Sequence, residues 1–232
     1  MANSWFFDVY PNRPQPFADE CLSGYLLRLA AANGVMRFQD FIVDLFPMWP
    51  SSQRINTLRW EYPVDEWGRI PLRTQLPLTT LSGLTVVPWL QKFRSLPTVT
   101  YKNRLGPGHI LHGLVQPQLQ ICPLCLQSQP YVRLMWRLKK ICVCLDHACL
   151  LRDHFHRCGT RLSVVSPTNR HLHCVHCDAD LRTLPVVSAS SDVLAKQRNL
   201  QSEFRFLLEP SVALTTDSQW AAGGRENPTL SQ

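Results

Sequence analysis

Cys122-Pro123-Leu124-Cys125, followed by Cys144-Leu145-Asp146-His147, is the stretch on which the fold of this chain turns. Each group sets two soft donors about one tight turn apart. Four side chains can then converge on one tetrahedral Zn²⁺ through thiolate and imidazole ligands. Between the two groups runs Tyr131-Val132-Arg133-Leu134-Met135-Trp136-Arg137-Leu138, an aromatic, basic and apolar segment expected to order against the metal knuckles. Downstream, Cys158 and Cys174-Val175-His176-Cys177 form a second cluster with three clear thiols. Spacing does not settle its fourth donor among His154, His156, His171, His173 and His176. His154 and His156 are best placed, because they precede Cys158 as the first ligand of a knuckle should. Cys142, Cys149 and the isolated Cys21 are expected to be buried small hydrophobes.

Working outward, eight of the nine cysteines fall between residues 122 and 177, interleaved with histidines. A secreted disulfide framework usually spreads its cysteines, and CxxC pairs favour metal. The opening Met1-Ala2-Asn3-Ser4-Trp5 lacks the basic and apolar regions of a signal peptide. No run approaches the ~18 apolar residues of a membrane span. A reduced, cytoplasmic chain without a membrane partner is therefore the expectation. A hydrophobic fraction of 45% supports a sizeable core. The formal charge of +7 is concentrated in residues 119–186, with nine Lys/Arg against four Asp/Glu. Two occupied sites of three thiolates and one neutral histidine would leave about +5, a modest basic surface. Closed four-ligand sites leave no open position for Lewis-acid chemistry. No H-E-x-x-H, G-x-S-x-G or phosphate-loop motif occurs, so the chain is expected not to be an enzyme.

The rest of the chain reads as mainly α, with small zinc-ribbon or zinc-knuckle elements. The prolines of Tyr10-Pro11-Asn12-Arg13-Pro14-Gln15-Pro16 impose an extended lead. Asp19 is placed to cap a helix carrying Leu22, Tyr25, Leu26 and Leu29, which stops at Asn33-Gly34. A second helix is expected through Phe38, Phe41, Ile42, Leu45 and Phe46, ending before Pro47. Two helices joined by a Gly-containing turn look like a helix-turn-helix start, and equally like two members of a small bundle. A short amphipathic segment is expected near Ile55–Trp60, another helix over Leu84–Phe93, and a C-terminal one over Ser188–Leu208 ahead of a flexible tail. Three parts follow: a helical N-terminal domain over 1–108, a zinc-binding region over 109–186, and a C-terminal helix with its tail over 187–232.

The run Glu20-Cys21-Leu22-Ser23-Gly24-Tyr25-Leu26-Leu27-Arg28-Leu29-Ala30-Ala31-Ala32-Asn33-Gly34 after Tyr10–Pro14 resembles the opening of the TniQ family, which includes the TnsD-type target-selection proteins of transposons. Cys122–Cys125, Tyr131–Leu138, Cys144–Leu151 and Cys158-Gly159 resemble that family's zinc region in order and spacing. Phe155 departs from it, standing where the first cysteine of the second knuckle is expected. The chain is also short beside TnsD-like members, whose C-terminal regions are associated with reading a DNA site.

The resemblance implies an adaptor for transposition target selection. Such a protein links a DNA site, or a CRISPR effector with its guide RNA, to an AAA+ ATPase regulator. Self-association as a dimer is a further expectation. Arg28, Arg37, Arg133, Arg137, Lys139 and Lys140 are the candidate contacts to nucleic acid or a partner. The competing reading is a zinc-dependent DNA-binding transcriptional regulator acting without a transposase.

Overall fold

Helix begins where the prolines end. In the computed structural model, which describes residues 7–61, 67–89, 113–163, 172–174 and 176–208, α1 spans Leu22–Ala32, α2 Phe38–Leu45 and α3 Ser51–Trp60. The cap of α1 is Cys21 rather than Asp19: its buried Sγ accepts the Gly24 N–H at 3.3 Å. Asp19 is instead used across the chain. Its carboxylate accepts the Tyr131 hydroxyl at 2.6 Å and its carbonyl accepts the Leu134 N–H at 2.7 Å. Asn33 closes α1, and Gly34 follows at φ +66°, a left-handed position that suits glycine. In α2 the buried Phe38, Phe41, Ile42 and Leu45 follow the i, i+3, i+4, i+7 spacing of one helical face.

Two short helices escape the sequence reading, α4 at Ile70–Thr74 and α5 at Leu78–Gly83. With five and six residues they are too brief to display a helical period. Leu84, the expected start of the next helix, instead caps α5; the chain turns helical again over 87–89, and residues 90–93 lie outside the described residues. The expected domain boundary near residue 108 and the C-terminal tail also fall outside them.

Gly68 lets the chain return to α2 before α4. Its φ is +56°, and an added Cβ would run into the Leu45 carbonyl oxygen and the Phe46 ring. Gly68→Ala is expected to cost at least the ~1–3 kcal/mol of a non-glycine residue held in a disfavoured backbone region. Chemical denaturation of the purified variant would measure that loss.

The second half of the chain builds α6 (Pro123–Ser128), a 3₁₀ turn at Leu134–Arg137, the antiparallel strands β1 (Val143–Cys144) and β2 (Cys149–Leu150), a 3₁₀ turn at Leu181–Thr183 and α7 (Ser191–Leu208). One core holds residues from both halves, from Tyr10 through Trp89 to Leu184. The seam between the halves is partly backbone: Cys21 N–H donates to the Val132 carbonyl at 2.9 Å, and Glu20 forms a β-bridge with Arg133. It is also ionic. Arg137 and Glu61, both with 0% side-chain exposure, pair at 2.9 Å. Glu61 further accepts the backbone N–H and hydroxyl of Ser23 on α1, while Arg137 donates to the carbonyls of Gln118 and Arg59. A buried carboxylate and guanidinium are tolerated because nearly every donor and acceptor is used.

Helix α7 docks by polar contacts as well as apolar ones. Gln197 donates to the Lys140 carbonyl at 2.8 Å and accepts the Cys142 N–H at 3.2 Å, and Gln201 donates to the Val143 carbonyl at 3.0 Å. These two glutamines, four residues apart, are buried, whereas the apolar Val193, Leu194, Leu200 and Phe204 are only half-buried. Phe204 meets Trp89 at a ring separation of 6.0 Å, so α7 touches both halves of the chain.

Candidate metal centres

Cys122 caps α6, with Pro123 in its first turn, and Cys125 lies one turn along. Proline suits that position, where the backbone N–H would have no helical partner. Cys144 and His147 come from the tight connection between β1 and β2, in which Cys144 is paired across to Cys149. Arg133 steadies this connection through an ion pair to Asp146 at 2.9 Å. The four donor atoms converge within 4.8 Å of one another. Cys125 Sγ is 3.5 Å from Cys144 Sγ, and His147 Nδ1 is 3.2 Å, 3.6 Å and 3.6 Å from Cys125, Cys122 and Cys144. Bond lengths of about 2.3 Å to sulfur and about 2.0–2.1 Å to nitrogen set tetrahedral edges near 3.8 Å (S···S) and roughly 3.6 Å (S···N). The donor set is therefore matched to a tetrahedral cation. Thiols this close compete for protons: hydrogen bonding with Cys125 and Cys144 pulls the Cys122 thiol well below its ordinary range, while the same contacts push Cys125 up.

A second set brings Cys158, Cys174 and Cys177 within 4.8 Å of one another, with Cys158 and Cys174 Sγ atoms 3.5 Å apart. Cys174 is buried, Cys177 half-buried and Cys158 exposed. A hydrogen bond to Thr160 lowers the Cys158 thiol to about 7. Among the described residues no histidine or carboxylate joins these three thiols. His154 and His156, the expected fourth donors, stand apart from them. His154 is exposed, bridged to Arg161 and 2.7 Å from the Asp153 carboxylate. Phe155 turns inward to 6% exposure, while Asp153, His154 and His156 around it are exposed. His173 is engaged with Asp178, and the His176 N–H donates to Cys174 Sγ at 3.4 Å. His171 lies outside the described residues.

Three six-residue segments share two backbone features at their described residues. In 144–149, 155–160 and 174–179 the first residue pairs with the sixth: Cys144 with Cys149, Phe155 N–H to the Thr160 carbonyl at 2.9 Å, and Cys174 N–H to the Ala179 carbonyl at 2.9 Å. The fifth residue is left-handed in each, Ala148 at φ +47°, Gly159 at +69° and Asp178 at +56°. Positions one and four then carry the donors: Cys144 and His147 in the first loop, Cys174 and Cys177 in the third. The middle loop has Phe155 and Cys158 there.

The remaining cysteines divide. Cys21 and Cys149 are buried as expected, and Cys149 Sγ lies 3.6 Å from Cys122 Sγ. Cys142 is exposed, because Ile141 and Val143 on either side occupy the inward positions. The candidate contact residues divide too. Arg137 is enclosed with Glu61, which removes it from the surface. Arg28 holds Glu20 at 2.7 Å, and Arg133 holds Asp146. Arg37, Lys139 and Lys140 are exposed. Sequence reasoning missed Glu61 as the partner of Arg137 and Ser23 as the second partner of Glu61, since nothing in their spacing joins positions this far apart.

Among the described residues no helix is long and apolar enough to cross a membrane. Comparison with curated proteins finds no match to the chain. The TniQ family model does match, over residues 11–151. That match covers more than half of the 232 residues and runs from the extended lead through α1 and α2 to the first Cys/His cluster; the chain belongs to the TniQ family.

Proposed function

We propose that this protein is a non-catalytic adaptor in transposition target selection, connecting a targeting element to an AAA+ ATPase regulator. The observation that carries the reading is the TniQ match over residues 11–151, which takes in both the N-terminal helices and the four-donor cluster. Family membership is consistent with target selection in general. The targeting element is a DNA site or an RNA-guided CRISPR effector, and the adaptor acts as a monomer or a dimer. The pair α1–α2 is the helix-turn-helix-like unit offered to DNA or to a protein partner. Arg37, Lys139 and Lys140 are the cations offered for phosphate contact because they are exposed, whereas Arg28 and Arg133 are half-buried against carboxylates; Arg37 also lies 3.6 Å from Asp40.

In this reading Cys122, Cys125, Cys144 and His147 hold one Zn²⁺ as a closed structural site, and Cys158, Cys174 and Cys177 give three donors to a second. The metal would supply cross-linking between segments distant in sequence, joining α6 to the β1–β2 connection. Its free energy of binding is then free energy of folding.

The test is co-elution of the zinc-loaded protein with its cognate AAA+ ATPase, with ATP and DNA present or absent. Association that is lost when the Cys/His region is disrupted supports the adaptor. A folded, zinc-loaded protein that never associates, yet binds DNA alone, would favour the transcriptional regulator.

A further inference from the structure

The three-thiol cluster has one ligand fewer than the four-residue one, and the position that lacks it can be identified. The loops 144–149, 155–160 and 174–179 have the same pairing of first and sixth residues and the same left-handed fifth residue. In such a loop positions one and four present donors to a common point, as Cys144 with His147 and Cys174 with Cys177 do. Phe155 holds position one of the middle loop and is 6% exposed, packed into the core. An apolar ring cannot coordinate a cation, and its burial leaves no room for it to be exchanged for a neighbouring donor. His154 and His156 flank it but are not gathered with the thiols. Cys158, which completes the trio, is exposed to solvent.

We infer that Cys158, Cys174 and Cys177 bind Zn²⁺ through three thiolates with the fourth coordination position open to an exogenous donor, a water that a small thiol can replace. The inference rests on the reading that the second cluster holds a metal, and goes beyond it by making this site exchangeable while the first is closed. Three thiolates and Zn²⁺ carry a net charge of −1, and an incoming thiolate adds one bond to sulfur without displacing a protein ligand. Tetrahedral zinc with three protein ligands keeps its fourth position for solvent or ligand, whereas four protein ligands exclude both. The two centres should therefore differ in how fast they surrender metal, and only one should respond to added thiol.

The experiment uses the full chain loaded with zinc, competed with a chromogenic chelator, and in parallel loaded with Co²⁺ and titrated with 2-mercaptoethanol. Two equivalents are expected, one leaving faster by at least the roughly 10–100-fold that even loss of an outer-shell partner costs in metal affinity. The cobalt absorption should shift with thiol at one site only. Phe155→Cys supplies the missing donor, and should slow the fast equivalent and abolish the thiol response. Phe155→Leu keeps an apolar residue there and should leave both behaviours as in the parent. Should Phe155→Cys fail to fold, the cobalt titration of the parent chain decides the matter. A single equivalent, with Cys158, Cys174 and Cys177 reacting as free thiols, would overturn the second metal site itself. Two slow equivalents without a thiol response would leave that site standing and overturn the open position. If His171→Ala then produced a fast equivalent, the fourth donor would be His171.

Discussion

Cys144→Ser is expected to release one zinc equivalent and to destabilise the chain by about 4–5 kcal/mol, at the upper end of what single substitutions do. Cys144 contributes to two things at once. Its sulfur is 3.5 Å from Cys125 and 3.6 Å from His147 Nδ1, and its backbone pairs β1 with β2. Serine preserves the strand but offers a harder, protonated oxygen in place of a thiolate. The tie between α6 and the β1–β2 connection is then lost, and with it the part of the folding free energy that metal binding provides. Metal analysis and urea denaturation of the same preparation measure both consequences. Cys149→Ser is the matched control: Cys149 Sγ is 3.6 Å from Cys122 Sγ but lies outside the four-donor set, so both equivalents should remain. Unchanged metal content in Cys144→Ser would remove this residue from the site.

A second large effect is expected at the seam. Glu61→Ala leaves Arg137 fully enclosed beside no anion, which should cost about 3–5 kcal/mol. Arg137→Ala should cost a similar amount, because among the described residues the Glu61 side chain then keeps the bonds from Ser23 alone while the carbonyls of Gln118 and Arg59 lose a donor. The double variant Glu61→Leu/Arg137→Met removes both charges and fills the volume, and should cost well under the sum of the two. Urea denaturation across this cycle gives the coupling. Additive losses would show that the two residues act independently despite their 2.9 Å contact. Zinc content should be unaffected throughout, which separates the ionic seam from the metal ties.

The seam matters for how the protein works as one piece. Ser23 on α1, Glu61 at the end of α3 and Arg137 in the Leu134–Arg137 turn link the N-terminal helices to the segment that leads into the β1–β2 connection. An adaptor must hold its partner surfaces in fixed relation, and a saturated buried network does this with more directional specificity than apolar packing alone. That the seam keeps the adaptor's surfaces in register belongs to the proposed function; the contacts themselves are present in the fold.

Local chemistry was legible in the sequence. Helices α1 and α2 announce themselves through the spacing of Leu22, Tyr25, Leu26, Leu29 and of Phe38, Phe41, Ile42, Leu45, and Asn33-Gly34 ends the first, because periodicity and capping act over a few residues. The seven residues that the fold gathers into two clusters, Cys122, Cys125, Cys144, His147, Cys158, Cys174 and Cys177, could be singled out as candidate ligands for a like reason, since a tight turn keeps the members of each pair together. The anomaly at Phe155 showed only through the resemblance to the TniQ zinc region. Only the tertiary structure decided what depends on distant partners. It placed Arg137 inside against Glu61 rather than on a basic surface, gave α7 its grip through Gln197 and Gln201, and left His154 and His156 out of the three-thiol cluster. Burial of a charge or an amide is favourable only when a complementary group arrives from elsewhere in the chain, and residues 76 positions apart carry no mark of each other in one sequence.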